Sequence, residues 1–198
     1  MPAHPHLPSI YVFFGLIATG KSTLAQAWAA RHSLAYRNSD VVRKELAGLA
    51  PTANQREGVG QGIYTREFSR KTYDAMLTRA EEAIGQGRGV VLDASYQNRE
   101  ERTRVVAVAQ RLHVAVHFVL CECGDDIKKS RLALRAQDPN AVSDGRWEIY
   151  LQQKTRFEAP TELGAGQLIT LDTNLPLDAA LDKLDRLLQR EEKEKDKR

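Results

Sequence analysis

The chain has 198 residues, 42% of them hydrophobic and 28% charged, with a formal net charge of +3, which fits one soluble globular domain with a sizeable core. That charge is too mild to imply nucleic acid, and it leaves a phosphorylated partner open. No apolar run nears the roughly 20 residues that cross a bilayer, and the opening MPAHPHLPS lacks a basic segment followed by a long apolar one, so a cytoplasmic protein without a signal peptide is expected.

Strand-like and helix-like stretches alternate, with no internal repeat, which argues for an α/β fold and a mainly parallel sheet. IYVFF (10–14) is short, β-branched and aromatic, stops at a glycine, and reads as a strand. A helix follows from Lys21 to about Arg31, then a weak strand in LAYRNS (34–39), then a helix in DVVRKELAG that Gly48 and Pro51 end. Residues 51–61, rich in Gly, Asn and Gln, are expected to form a mobile loop. A long helix is expected over about 62–86, with Tyr73, Leu77, Ala80 and Ile84 on one face. GVVLD (89–93) is the near-continuous apolar run of a strand covered on both faces. NREERTRVVAVAQRLH reads as a helix that Asn98 and Glu101 open as a capping pair.

Next come a strand in VAVHFVL (114–120) and a helix over about 125–136. The loop QDPNAVSDG leads to a helix over about 144–157, with Trp147, Tyr150 and Leu151 as its apolar side. GQLITLD (166–172) is the last strand, and Leu177, Leu181, Leu184 and Leu188 line the final helix. The charged end of that helix, 189–198, is expected to be solvated and frayed. Cys121 and Cys123, with no further Cys or His cluster nearby, do not make a zinc site and are expected to be reduced thiols. Five strands with helices between them, joined by right-handed crossovers, make a three-layer sheet that binds ligands beyond the carboxyl ends of its strands.

At the first of those ends stands GLIATGKST, Gly15 to Thr23, which fits G-x-x-x-x-G-K-[ST] between a strand and a helix. That is a P-loop in its required context, and ATP is the ligand expected. Gly15 permits the turn out of the strand and Gly20 lets backbone approach the phosphates. The N–H groups of Leu16, Ile17, Ala18, Thr19 and the first helical turn converge on the anion. Lys21 is expected to reach the β and γ phosphates, and the Ser22 hydroxyl, beside Thr23, to meet magnesium. Asp93 ends the apolar VVLD; it offers a hard oxygen ligand to Mg²⁺, or else caps the turn before ASYQNRE.

Asp40 and Arg43 lie three apart at the start of the second helix, on one helical face. A carboxylate there can take a proton from a hydroxyl nucleophile, and an arginine one turn on can fix a phosphate or carboxylate of the acceptor. The plain alternative is that Ser39 or Asp40 caps the helix and Arg43 pairs with it on the surface. Arg56, Tyr64, Arg66, Phe68, Arg70 and Lys71 form either an anion-binding stretch across the acceptor site or an ordinary polar helix face.

Gly15–Thr23, NSDVVR, VVLDASYQNREER and an Arg-x-x-x-Arg helix after the fourth strand resemble the kinase domain of phage-type polynucleotide 5′-kinases. They are even more similar to a bacterial group of predicted kinases with an AAA-type ATP-binding domain; zeta-toxin and chloramphenicol-phosphotransferase kinases are more distant. The resemblance runs from about Ile10 to Phe157. It implies a single three-layer P-loop kinase domain over 1–198, with a helical lid over about 125–157. It further implies Asp40 as general base, Arg43 as the residue on the acceptor's phosphate, and Arg131 and Arg135 as lid arginines on the donor phosphates, the latter also catalytic with Lys21. Without the resemblance, both lid arginines read equally as solvated helix cations. No downstream phosphatase domain and no basic, aromatic groove for a nucleic-acid strand is evident.

The expected function is therefore transfer of the ATP γ-phosphate to a hydroxyl, either a nucleic-acid 5′-hydroxyl or that of a small molecule, with Mg²⁺ as cofactor and no obligate protein or membrane partner. An ATPase handing phosphate to water, and a nucleotide-binding regulator without turnover, are the alternatives.

Overall fold

In a computed structural model, which describes residues 8–50, 62–137, 147–164 and 166–195, five strands form one sheet. They are β1 (Ile10–Phe14), β2 (Ala35–Asn38), β3 (Val90–Asp93), β4 (Val116–Glu122) and β5 (Leu168–Asp172), in the order β2-β3-β1-β4-β5. Every pairing is parallel, so the expected α/β architecture with a mainly parallel sheet is present and is parallel throughout.

Parallel strands need both faces covered, and alternation along β1 shows how this chain does it. Ile10, Val12 and Phe14 pack with Val90, Leu92, Phe118 and Leu120 against α3 (Arg66–Gly85) and α4 (Arg99–Arg111). Tyr11 and Phe13 point to the opposite face and pack with Val91, Val119 and Leu171 against α1 (Lys21–Arg31) and α7 (Leu177–Lys195). Successive strand side chains face opposite ways, so one five-residue strand feeds two cores. Each fully buried large apolar side chain contributes about 1.5–3 kcal/mol. The remaining helices, α2 (Ser39–Leu46), α5 (Asp125–Arg135) and α6 (Trp147–Arg156), lie at the carboxyl end of the sheet.

Several local expectations need adjustment. The long helix is a short 3-10 turn, Gly62–Tyr64, followed by α3, because the Thr65 side chain accepts from the Phe68 N–H and caps the helix there. Its four expected face residues, Tyr73, Leu77, Ala80 and Ile84, are all buried. Leu151 is 47% exposed and Leu177 41% exposed, so neither belongs to the apolar faces expected of them. In α6 the packed residue is Tyr150, and the next position turns about 100° away from it. In α7 the packed stripe starts one turn further in, at Ala180 and Leu181. Asn98 precedes α4 and its side chain makes no capping bond to the helix, but the Glu101 carboxyl bonds back to Asn98, including its backbone N–H, so one half of the expected capping pair forms. Cys121 and Cys123 are free thiols. The loops expected at 51–61 and over 138–145, and residues 196–198, lie outside the described residues. No helix among the described residues is long and apolar enough to cross a membrane.

Candidate active site

The carboxyl ends of β1, β2 and β3 open into a cleft of about 1110 Å³. The loop leaving β1 forms its floor. Gly15 has φ 134° and an added Cβ there would meet the Cys121 carbonyl oxygen at 2.6 Å, so only glycine fits. Gly20, at φ 81°, is the N-cap of α1 and supplies no side-chain cap; the first turn of α1 carries no acidic residue either. The N–H groups at that helix start are thus left for an anion rather than for the protein's own oxygens. Ala18, a non-glycine at φ 62°, bends the loop between them. Thr19 closes it, its hydroxyl and its N–H both donating to the Leu16 carbonyl, at 2.9 and 3.4 Å. Gly20, Lys21, Ser22 and Thr23 line the cleft with Ile17 and Ala18.

Parallel pairing sets Asn38 of β2 opposite Asp93 of β3, and this register builds the carboxylate side of the cleft. Asp93 is fully buried. Its Oδ2 accepts from the Tyr36 hydroxyl and from Asn38 Nδ2, both at 2.6 Å, while Oδ1 is buried with no partner. Burial and the neighbouring Asp93 charge push the Tyr36 phenol far above its ordinary range, so Tyr36 stays a donor. Asp93 is therefore held by one oxygen and offers the other. A free carboxylate oxygen on the same wall as the Ser22 hydroxyl is a donor set that fits Mg²⁺, which binds few protein oxygens and takes the rest from phosphate and water. Among the described residues no three His, Cys, Asp or Glu side chains group to hold a metal by themselves.

Asn38 also settles the capping of α2. Its Oδ1 accepts from the Asp40 and Val41 N–H groups at 3.0 and 3.1 Å, so neither Ser39 nor Asp40 is the cap. The Asp40 carboxylate is half-buried on the cleft wall. Burial raises its pKa above the ordinary carboxylate value, against the pull of Lys21 and Arg43, and with the Asp93 charge adding to the rise. An acid in that state holds a proton more readily than a solvated aspartate.

The arginines divide. Arg135 lines the cleft with Lys21 and Asp40. Arg43 also lines it, but it is 7% exposed and donates to the Ile63 carbonyl at 2.8 Å and to Ser69 Oγ at 3.1 Å, with its guanidinium over the Tyr64 ring. It is a tie between α2 and the start of α3, not a surface partner of Asp40. Arg131 sits on the outer side of the phosphate loop. It donates to the Thr173 carbonyl at 2.7 Å and to the Ala18 carbonyl at 3.3 Å, and it stands where a Cβ on Gly20 would meet it at 2.9 Å.

Sequence reasoning missed three cleft residues. Gln153 of α6 accepts the Ile17 N–H at 2.8 Å and so joins the helix pair α5–α6 to the phosphate loop. Gln97 and Glu101, which also line the cleft, each carry a buried oxygen with no partner, Oε1 and Oε2 respectively. Only Glu101 gave any signal, as one half of a capping pair; a lone glutamine on a helix or loop gives none.

Over residues 10–160 the chain matches the model of a family described as AAA domain. Uncharacterized proteins of Mycobacterium tuberculosis and Mycobacterium bovis are 27% identical over 138 residues, a stretch that is 68% of this chain but 28% of theirs. Among solved structures the fold is similar to a gluconokinase from Sinorhizobium meliloti (TM-score 0.63, 18% identical, 92% of both chains). It is similar also to a sugar kinase from Janibacter (TM-score 0.68, 16% identical, 92% of this chain and 95% of that one). The APS kinase of Mycobacterium tuberculosis, solved with AMPPNP and APS, gives a TM-score of 0.65 at 16% identity over 92% of this chain and 98% of that one. At these identities the likeness is one of fold, the P-loop kinase fold. The stretch from 10 to 160 takes in the phosphate loop, Asp40, Asp93 and Arg135 alike, and by that match the chain belongs to the AAA domain family.

Proposed function

We infer that the protein transfers the γ-phosphoryl group of ATP to a hydroxyl group of an acceptor. One observation carries the reading: Asp40 faces the same cleft as the Gly15–Thr23 loop with its carboxylate released from helix capping by Asn38. A phosphate-binding loop alone serves ATPases and regulators equally. A desolvated carboxylate across from it is what transfer to an alcohol needs.

In this reading the N–H groups of the loop and of the first turn of α1 hold the β and γ phosphates, and Lys21 neutralises their charge. Ser22 and Asp93 are the residues that would hold Mg²⁺, which would supply positive charge to offset that of the phosphates. Asp40 takes the proton of the acceptor hydroxyl as its oxygen attacks the γ-phosphorus. The bond from that phosphorus to the β–γ bridging oxygen breaks, and ADP leaves with the electron pair. Arg135, on the lid formed by α5 and α6, supplies positive charge to the transferring group. Arg131 supports the outer side of the loop. The neighbours solved as gluconokinase, sugar kinase and APS kinase all act on hydroxyl-bearing small molecules by their names, which supports an alcohol acceptor over water.

Asp40→Asn tests the reading. Nucleotide binding should stay within about twofold, while transfer falls by about 10²–10⁴, the usual contribution of a positioned general base. A variant that transfers phosphate at the parental rate would remove Asp40 from the mechanism.

A further inference from the structure

The part of the cleft lined by Gln97 and Glu101 has its own chemistry. Gln97 Oε1 and Glu101 Oε2 are buried there without a hydrogen-bond partner, and buried polar atoms in folded proteins are rarely left so. Gln97 Oε1 is an acceptor as placed, and the Glu101 carboxyl accepts when ionised and can also donate when protonated. A group that both donates and accepts completes the pair in either state. Arg104 pairs with Asp74, and Arg43 is held by Ile63 and Ser69 while its Nε is buried without a partner. Arg66 and Arg70 stand at the exposed rim. A bound amine would meet Arg43 and Arg104, which line the same cleft. Hydroxyl groups suit both kinds of neighbour, since they donate to the carboxylate and amide oxygens and accept from arginine.

We propose that this part of the cleft binds a hydroxyl-rich small molecule, its hydroxyls hydrogen-bonded to Glu101 Oε2 and Gln97 Oε1, and that this molecule is the phosphoryl acceptor. The last clause rests on the kinase reading above. A neutral polyol and a sugar acid share the donor pattern; a carboxylate on the latter would add contact with Arg66 or Arg70.

The test uses the full chain, titration calorimetry and labelled ATP, with sorbitol, ribose, gluconate and a 5′-hydroxyl dinucleotide as probes. At least one of the first three should bind and become labelled. Glu101→Ala and Gln97→Ala should each weaken that binding tenfold or more while both variants still bind ATP, which shows them folded. Gluconate binding well above sorbitol identifies the sugar acid, and equal binding the neutral polyol. Binding of none of the three overturns the proposal; if the dinucleotide is labelled instead, the kinase reading survives alone. Polyol binding that depends on Glu101 with no label transferred keeps the site and sinks the kinase reading.

Discussion

Gln153 Oε1 accepts the Ile17 backbone N–H at 2.8 Å across 136 residues of sequence, so the second lid helix touches the phosphate loop through one amide. The lid is itself a unit. Asp125 of α5 accepts from the Tyr150 hydroxyl at 2.5 Å and from Lys154 at 3.1 Å, both on α6, and from Lys128 at 3.0 Å within α5. Those three donors hold the Asp125 carboxyl well below its ordinary range. Ile17, Ala18, Leu132 and Tyr150 form a small apolar cluster beneath. Removing the amide acceptor in Gln153→Leu should therefore loosen the lid from the loop without separating α5 from α6. A neutral hydrogen bond contributes about 0.5–1.5 kcal/mol, which corresponds to roughly two- to tenfold more open lid. Trypsin cleavage after Lys154 and Arg156, in the absence of nucleotide, should quicken by that factor. Unchanged cleavage would mean that the apolar cluster alone keeps the lid in place.

Arg102 makes a different kind of tie. It is fully buried, and its guanidinium pairs with Glu162, donates to the Tyr96 carbonyl at 2.8 Å and stands over the Phe14 ring. It fastens the chain that follows the lid to the loop after β3, which carries Ser95 and Gln97 into the cleft. Arg102→Met should cost about 3–5 kcal/mol, because it leaves Glu162 in a poorly solvated place with only the longer Arg99 contact, at 3.5 Å, to offset its charge. At about 2–4 °C per kcal/mol for a chain of this size, the melting temperature should drop by about 6–20 °C. Adding Glu162→Gln should recover part of the loss, since the poorly compensated charge is gone. A double variant as unstable as the single one would place the cost in lost packing against Phe14 instead.

These two ties show where sequence stops being informative. The order of elements could be read because β1 and β3 are short apolar runs ended by Gly15 and Asp93, and because the helices between them carry apolar residues at helical spacing. The phosphate loop could be read because its spacing is local. Asn38 could not be separated from Ser39 and Asp40 as the cap of α2, since all three are good caps; what decides it is the parallel register that sets Asn38 against Asp93. Arg43 could be placed on the face of Asp40 but not assigned its partners, Ile63 and Ser69, which come from another element. The exposure of Leu151 and Leu177 likewise follows from which turn of each helix meets a neighbour. Gln153, Gln97 and Glu101 act through contacts or vacant bonds that arise only in the folded cleft, and single polar residues carry no periodic signal.

Glu101 leaves a mark on stability that can be measured without any ligand. Burial is the main reason its pKa rises from the ordinary 4.5 to about 7; Asn98 and Arg102 pull it down in part, and Glu100 pushes it up. From α3 the Tyr73 hydroxyl faces it, and from the loop before α4 the Tyr96 hydroxyl, both remaining neutral because their own pKa values are raised. The folded protein thus holds a proton on Glu101 between pH 4.5 and about 7 that the unfolded chain has released. Stability from this group is present below its unfolded value and is lost as pH rises through about 7, at no more than about 1.4 kcal/mol per pH unit. Glu101→Gln mimics the protonated form at every pH. Denaturant melts from pH 5 to pH 8 should show the variant gaining on the parent as pH rises, with the gap levelling above the folded pKa. Parallel curves across that range would mean that the carboxylate is solvated in the folded protein and that its second oxygen is not waiting for a donor.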